Sequence, residues 1–278
     1  MEYNRLVDKG IDNLVKHMWH KIATADEGIE RETFLRDICA KTPVVANYGQ
    51  GQYSGVYIKN SGLPEPSNEE SIKAAVNIMF RDYYSVVIVR EVINKIVNDI
   101  KDVELLKKLL DYLGSKSKCG SLKELLDETD ESLEIIRECY LELIKTGTMK
   151  KVYLDMVSTN TSRFFHMTSI IDNLHRQLDN SYSSFALIFD TDNSLGFTSK
   201  LAINEHIGAR TTGYKVYAVC ERKVETYPDP IFLGEINTVM LPNWPKSTLT
   251  GNYIQAIHDY AIHDYTDDLK EATKQKIK

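Results

Sequence analysis

The sequence is poor in cysteine, has no long apolar run and has no excess of positive charge. Its 278 residues include only four cysteines, which stand far apart and form no CxxC pair, so the pattern argues against a zinc ribbon or a thioredoxin-like site. The apolar runs break at a charged residue well short of the roughly 18 residues that a membrane-spanning helix needs. With 34 Lys and Arg against 40 Asp and Glu, the net charge of -6 gives no general attraction to nucleic acid or to an anionic membrane.

The N-terminal residues also lack the basic region and the following apolar region of a signal peptide. We therefore expect a soluble, cytoplasmic protein with reduced thiols and no membrane association. Hydrophobic residues make up 42% and charged residues 27% of the chain, which is the composition of a folded globular protein. Its length suffices for one large domain or two small ones.

Helical periodicity dominates the first half of the chain. Apolar residues recur at three- and four-residue spacing in residues 3–41, which predicts two helices. Residues 68–113 are also predicted to be helical: KAAVNIMFRDYYSVVIVREVINKIVNDI is apolar nearly all round, which predicts a buried helix, and VELLKKLLDYL predicts an amphipathic helix that ends at Gly114. Further helices are expected up to Gly147. A glycine- and tyrosine-rich segment, residues 43–66, is predicted to be a loop that contains one short strand, VYIK. We predict a helical domain over residues 1–147.

Strand-like sequence begins after this helical part. The segments KVYLDMV, FALIFDTD, YKVYAVCERKVE and IFLGEINTVMLP are rich in β-branched and aromatic residues or alternate apolar with polar positions. Short helical segments lie between them. We therefore predict an α+β domain over residues 148–265, followed by a charged tail over residues 266–278.

Four short motifs in residues 163–242 occur in a recognisable order. They are HMTS at 166–169, FTSKLAINEHIG at 197–208, GARTTGYKVYAV at 208–219 and EINTVML at 235–241. Together they resemble the ADP-ribosyltransferase-like superfamily, and the end of the match is most similar to its RNA 2′-phosphotransferase branch. The resemblance implies a small, split antiparallel β-core with short helices. With the helical pattern of the first half, the predicted fold class is α+β: an N-terminal helical bundle followed by this β-core.

The resemblance also implies NAD as the cofactor and transfer of ADP-ribose to a macromolecular target, either protein or nucleic acid. It assigns catalytic roles to His166 and Glu235. It assigns cofactor binding to Thr168, Thr198, Ser199 and Arg210.

The roles that the resemblance implies for these residues agree with the chemistry of NAD. An anionic phosphate suits the guanidinium of Arg210, and an oxocarbenium-like ribose suits the carboxylate of Glu235. His166 would hold the ribose or the amide of NAD by hydrogen bonding. Transferases of this kind place the glutamate directly before the last apolar run, whereas here Thr238 has that position and Glu235 lies three residues earlier.

A different set of residues predicts a different chemistry. Asp190 ends one apolar strand, and Glu221 and Lys223 end another, where alternation places both on one face. An acid on one strand and Glu-x-Lys on the next is how nucleases of the restriction type hold Mg²⁺ and orient the attacking water. The alternative function is therefore that of a Mg²⁺-dependent nuclease.

A third interpretation needs no catalysis. Tyrosines interleaved with glycines in residues 47–62 are typical of adaptable binding surfaces. A non-enzymatic protein-interaction module could use this segment together with a helical face. The sequence leaves all three functions open, and the motif order favours the transferase.

Overall fold

The computed structural model of the protein describes fifteen stretches and single positions of the chain. They are residues 2–16, 21–25, 31–45, 52–59, 63–64, 66, 73–99, 104, 107, 111, 122–158, 184–190, 202, 214–222 and 237–240. The chain divides into two compact units, Met1–Leu241 and Pro242–Lys278, and every described residue belongs to the first.

Helices and strands are interspersed along this first unit. The described helices are α1 (Glu2–Leu14), α2 (Arg31–Ala40), α3 (Lys73–Asp99), α4 (Leu122–Thr146) and α5 (Lys151–Ser158). The described strands are β1 (Lys21–Ala25), β2 (Val44–Val45), β3 (Gln52–Lys59), β4 (Ser184–Asp190), β5 (Tyr214–Arg222) and β6 (Asn237–Met240). The predicted mixture of helix and strand is confirmed.

The six strands form one sheet in the order β2-β3-β4-β5-β1-β6. Every pairing in it is parallel except the short pair of β2 with β3. The predicted antiparallel core is therefore wrong for the described strands. The physical reason is the length of the connection between β3 and β4: its described residues include α3, α4 and α5, and a crossover of this kind returns the chain in the same direction.

Strands from both halves of the sequence make up this sheet. β1, β2 and β3 precede residue 147, and β3 pairs with β4 from the later half along seven residues, from Tyr53↔Ser184 to Lys59↔Asp190. The helical first half thus contributes an edge of the sheet. β1 went unpredicted because both of its pairing partners, β5 and β6, lie in the last third of the chain.

The loop predicted over residues 43–66 contains a buried strand that is longer than VYIK. β3 is buried from Tyr53 to Ile58. A Cβ atom at Gly55 would stand 3.2 Å from both Cα and Sγ of Cys39, so glycine lets the end of α2 approach the strand closely. Gly55, which suggested a loop in the sequence, thus allows α2 to pack closely against β3.

KVYLDMV, predicted to be a strand, is helix α5. Tyr153 and Met156, three residues apart, are its buried residues, whereas Val152 and Leu154 are exposed. A strand would have placed Val152, Leu154 and Met156 together on one face. The predicted helices are confirmed where the structure describes them, as α1 to α4, and Gly147, with a φ of 70°, ends α4 as predicted. The short helical segments predicted between the later strands lie almost wholly outside the described residues.

Helices cover both faces of the sheet. Val56 and Ile58 of β3, with alternate residues of β4 such as Phe185 and Phe189, belong to the hydrophobic core that α3, α4 and α5 complete. Gly55 and Tyr57 face the other way, toward α2, on which α1 packs. No helix in the described part of the chain combines the length and the apolar character that crossing a bilayer requires.

The connections between these strands have the order of a doubly wound sheet. The chain crosses from β1 to β3 with α2 on one face, and returns from β3 to β4 with α3, α4 and α5 on the other face. Connections that move in opposite directions along a parallel sheet lie on opposite faces when both have the same hand. The arrangement leaves the carboxyl ends of the strands along one edge.

Candidate functional site

The carboxyl ends of the five parallel strands, β3, β4, β5, β1 and β6, lie along this edge. The register aligns Lys59 of β3 with Asp190 of β4, and Asp190 with Cys220 of β5; Glu221 is aligned with Thr24 of β1. In open α/β sheets, ligands bind outside the carboxyl ends of the strands. This edge is therefore where a ligand site is expected.

A buried tyrosine–aspartate pair lies at the edge. The hydroxyl of Tyr57 donates a hydrogen bond of 2.8 Å to Oδ2 of Asp190, and both side chains are buried. Burial and, after it, this hydrogen bond raise the pKa of Tyr57, so the phenol keeps its proton at neutral pH and remains the donor. Asp190 is thereby held in one orientation by the neighbouring strand.

Helix α2 and the end of β3 add three charged side chains above this pair. The guanidinium carbon of Arg36 lies 4.3 Å from the centre of the Tyr57 ring, a cation–π contact. Oε1 of Glu32 accepts from Nε and Nη2 of Arg36 at 3.0 and 2.9 Å. Its Oε2 accepts from Nζ of Lys59, at the end of β3, at 2.8 Å. We call Glu32, Arg36, Tyr57, Lys59 and Asp190 the carboxyl-end cluster.

Burial divides this cluster into two levels. The side chains of Lys59 and Arg36 are 54% and 55% exposed, and that of Glu32 is 38% exposed, whereas Tyr57 and Asp190 are buried beneath them. The hydrogen bonds from Lys59 and then Arg36 lower the pKa of Glu32. The carboxylate at the surface is therefore ionised and shared by two cations that solvent can reach.

The residues predicted from the superfamily resemblance lie outside the described residues. They are His166, Thr168, Thr198, Ser199, Arg210 and Glu235. Their predicted roles remain predictions.

The alternative site is described in part. Asp190 ends β4 as predicted, and the backbone of Glu221 lies in β5, one residue beyond the partner of Asp190; Lys223 is outside the described residues. The described chain contains no group of three or more His, Cys, Asp or Glu side chains that could hold a metal ion. The structure thus brings the backbones of Asp190 and Glu221 to one edge.

The sequence contained little that would have revealed Tyr57, Glu32 and Arg36. Tyr57 lies in a segment that resembled a loop, and Glu32 and Arg36 are an ordinary i,i+4 pair on a helix. Only the passage of α2 over β3 and β4 brings them to Asp190.

A second polar cluster lies at the other end of β3. Nζ of Lys95 in α3 donates to the carbonyl of Cys39 at 2.6 Å and pairs with Asp99 at 2.9 Å, while Oγ of Ser54 donates to Oδ2 of Asp99 at 3.2 Å. We call Cys39, Ser54, Lys95 and Asp99 the amino-end cluster. Burial raises the pKa of the Cys39 thiol to about 12, so this sulfur is not a nucleophile in the folded protein.

A second buried tyrosine–aspartate pair shares no residue with either cluster. The hydroxyl of Tyr153 in α5 donates to Oδ2 of Asp82 in α3 at 2.8 Å. Burial and the Asp82 carboxylate raise the pKa of Tyr153. This pair joins two helices beneath the sheet and has the same chemistry as the pair of Tyr57 with Asp190.

No protein-family model matches the sequence, and no curated protein matches it significantly. The function is therefore argued from the geometry of the sheet edge and from the motifs in the sequence.

Proposed function

We propose that this protein is an enzyme that binds NAD at the carboxyl edge of its parallel sheet and transfers ADP-ribose to a protein or nucleic acid. The observation that carries the proposal is the buried carboxylate of Asp190 at the end of an interior parallel strand, oriented by Tyr57. Nucleotides bind to sheets with helices on both faces at this edge. The site thus takes its support from the parallel sheet and not from the expected antiparallel core.

The residues at the edge fit the chemistry of NAD. Breaking the bond between ribose and nicotinamide sends the bonding electron pair to nicotinamide and leaves positive charge on the ribose. A carboxylate that is already oriented stabilises this charge. In the proposal Asp190 supplies that carboxylate, which the hydroxyl of Tyr57 holds through Oδ2. A nucleophile of the target then forms the new bond to the ribose carbon and loses its proton.

The motif residues complete the proposal. His166, Thr168, Thr198, Ser199 and Arg210 are proposed to bind NAD, and Glu235 is proposed as a second carboxylate. Their support is the resemblance of residues 163–242 to ADP-ribosyltransferases, which names the cofactor. The parallel sheet supplies only the location.

The test is consumption of NAD by the purified full chain, with labelled NAD to detect transfer to added protein or RNA. Asp190→Asn removes the charge and keeps the shape, and we expect the turnover rate to fall by about 100-fold or more. Tyr57→Phe removes only the orienting hydroxyl, and we expect a fall of about 10-fold.

Tyr153→Phe is the matched control because it deletes the same hydrogen bond from the pair with Asp82, outside the site. It should lower stability by about 1 kcal/mol, as Tyr57→Phe does, and leave turnover unchanged. Absence of NAD consumption by the wild-type protein, or equal activity of Asp190→Asn and the wild-type protein, would overturn the proposal. Glu235→Gln in the same assay tests the second carboxylate.

A second candidate function is Mg²⁺-dependent cleavage of nucleic acid. The observation that favours it is the position of the Glu221 backbone at the same edge as Asp190. In this mechanism Asp190 and Glu221 hold the metal ion, and Lys223 orients the water that attacks phosphorus.

The two candidates differ in their response to substitution. Glu221→Ala and Lys223→Ala should abolish Mg²⁺-dependent cleavage of DNA or RNA and leave NAD consumption unchanged. Asp190→Asn impairs both activities and serves as the common reference. Cleavage that persists in EDTA, or in Glu221→Ala, would exclude the nuclease.

A further inference from the structure

Two cations at the carboxyl edge, Arg36 and Lys59, both bind the carboxylate of Glu32. Glu32 presents Oε1 to Arg36, at 2.9 and 3.0 Å, and Oε2 to Lys59, at 2.8 Å. One carboxylate oxygen of Glu32 thus accepts from the planar guanidinium of Arg36, and the other accepts from the ammonium group of Lys59. Neighbouring oxygens of a pyrophosphate can make the same contacts, and they carry more charge.

Elements other than Glu32 also position the two cations. The ring of Tyr57 lies against the guanidinium of Arg36, and Tyr57 is itself bonded to Asp190. Lys59 is the last residue of β3, where its backbone pairs with Asp190. The departure of Glu32 would therefore leave Arg36 and Lys59 side by side at the edge where a ligand is expected.

Exposure of these groups makes the exchange feasible. Exposed ion pairs contribute little to stability, so an incoming anion has little to displace. A buried pair could not exchange in this way, because removing one partner leaves an uncompensated charge. Glu32, Arg36 and Lys59 are all partly open to solvent.

We infer that Lys59 and Arg36 form a pyrophosphate subsite and that Glu32 occupies the place of the anion until the ligand displaces it. The inference deepens the proposed function and rests on it in one respect: the pyrophosphate would be that of NAD. Inorganic pyrophosphate and ADP-ribose offer the same group. Glu32 in this arrangement is an internal competitor that weakens binding.

The inference predicts that removing an acid tightens binding of an anion. Titration calorimetry at low salt would measure binding of inorganic pyrophosphate and of ADP-ribose to the full chain. We expect Glu32→Gln to tighten both by about fivefold, the equivalent of about 1 kcal/mol from the released ion pairs. Lys59→Met and Arg36→Met should each weaken both by at least about fivefold.

The control removes one negative charge from a comparable ion pair elsewhere. Asp8 pairs with Lys41 at 3.4 Å in an exposed contact between α1 and the end of α2. Asp8→Asn changes the net charge as Glu32→Gln does, and it should leave pyrophosphate binding unchanged. Equal tightening in both variants would mean that net charge alone acts, and it would overturn the inference.

The outcomes separate this inference from the proposed function. Pyrophosphate binding that tightens in Glu32→Gln, in a protein that does not consume NAD, supports the subsite and overturns the proposed function. Consumption of NAD with an unchanged KM in Lys59→Met overturns the subsite and leaves the proposed function standing. Tightening of ADP-ribose but not of inorganic pyrophosphate would also overturn it, because recognition would then lie outside the phosphates.

Discussion

The two ends of β3 carry polar clusters of similar composition and different environment. At the amino end, Lys95 pairs with Asp99, and the two side chains are only 11% and 17% exposed. At the carboxyl end, Lys59 pairs with Glu32, and both side chains are more than a third exposed. Lys95 joins α3 to α2 and Lys59 joins β3 to α2, but only Lys59 can exchange its partner with a dissolved ion.

The two clusters also differ in the groups that accept hydrogen bonds from their lysines. Lys95 also donates to the backbone carbonyl of Cys39, which the hydroxyl of Thr42 contacts at 2.5 Å, and that hydroxyl accepts from the amide of Gly55. A dissolved ion cannot displace these acceptors, the Cys39 carbonyl and the Thr42 hydroxyl, because both are fixed within the fold. A buried and saturated cluster stabilises the fold, whereas an exposed cluster at the sheet edge leaves its cations available to ligands.

The largest expected effect is on stability at the amino end. Lys95→Met leaves Asp99 mostly buried without its cation and removes a donor from the Cys39 carbonyl, and we expect the free energy of unfolding to fall by about 2–4 kcal/mol. Denaturant unfolding measures it. The matched control is Lys16→Met, which breaks the Lys16–Asp12 pair of the same i,i+4 spacing on the exposed side of α1. A loss below about 0.5 kcal/mol is expected there, and an equal loss in both variants would remove the distinction.

Gly55→Ala should have the next largest effect. The added methyl would stand 3.2 Å from Cα and Sγ of Cys39, which is tighter than ordinary packing. Because one of these atoms is backbone, α2 must shift, and we expect a cost of about 1–2 kcal/mol in unfolding experiments. An alanine variant as stable as the wild-type protein would show that α2 is not tightly seated at this end of β3.

Lys59→Met at the carboxyl end should cost less than about 1 kcal/mol, because the pair with Glu32 is exposed. Raising the salt concentration to about 1 M should remove most of the remaining difference from the wild-type protein, since screening acts strongly on exposed charges. The same salt series should leave the effect of Lys95→Met largely intact. A loss at Lys59 as large as that at Lys95 would contradict the comparison of the two ends.

The smallest expected effect is on pH dependence. The cations lower the pKa of Glu32 in the folded protein, so its folded state binds fewer protons than its unfolded state near pH 4. The resulting stabilisation is present above the ordinary glutamate pKa of about 4.5 and is lost as the pH falls through the lowered value. Unfolding experiments between pH 6 and pH 3 should therefore show wild type losing more stability than Glu32→Gln. Parallel curves of stability against pH for the two proteins would mean that Lys59 and Arg36 do not lower the pKa of Glu32.

The sequence predicted the long helices well because their information is local. α3 and α4 have a helical repeat of apolar residues and a glycine stop at Gly147, and both appear as expected. β4 and β5 were also found, because short apolar runs with turn residues around them are typical of buried strands. The prediction failed where burial had to be known first, as in α5, whose exposed Val152 and Leu154 resembled one face of a strand.

The candidate site was predictable only in part. Asp190 could be singled out because an acid that ends an apolar strand is unusual, but Tyr57, its partner, is 133 residues away in the chain. No local pattern connects the two. The site residues assigned by family resemblance remain predictions.

The sequence by itself determined the long helices and the strands β4 and β5, because helix periodicity and short apolar runs act within a few residues. The tertiary structure alone decided that the strands run parallel, that α2 crosses β3 and β4, and that Glu32, Arg36, Lys59, Tyr57 and Asp190 meet at one edge. The reason is physical: strand direction and side-chain contact depend on how helices fill the two faces of the sheet, and that packing joins residues from both halves of the chain.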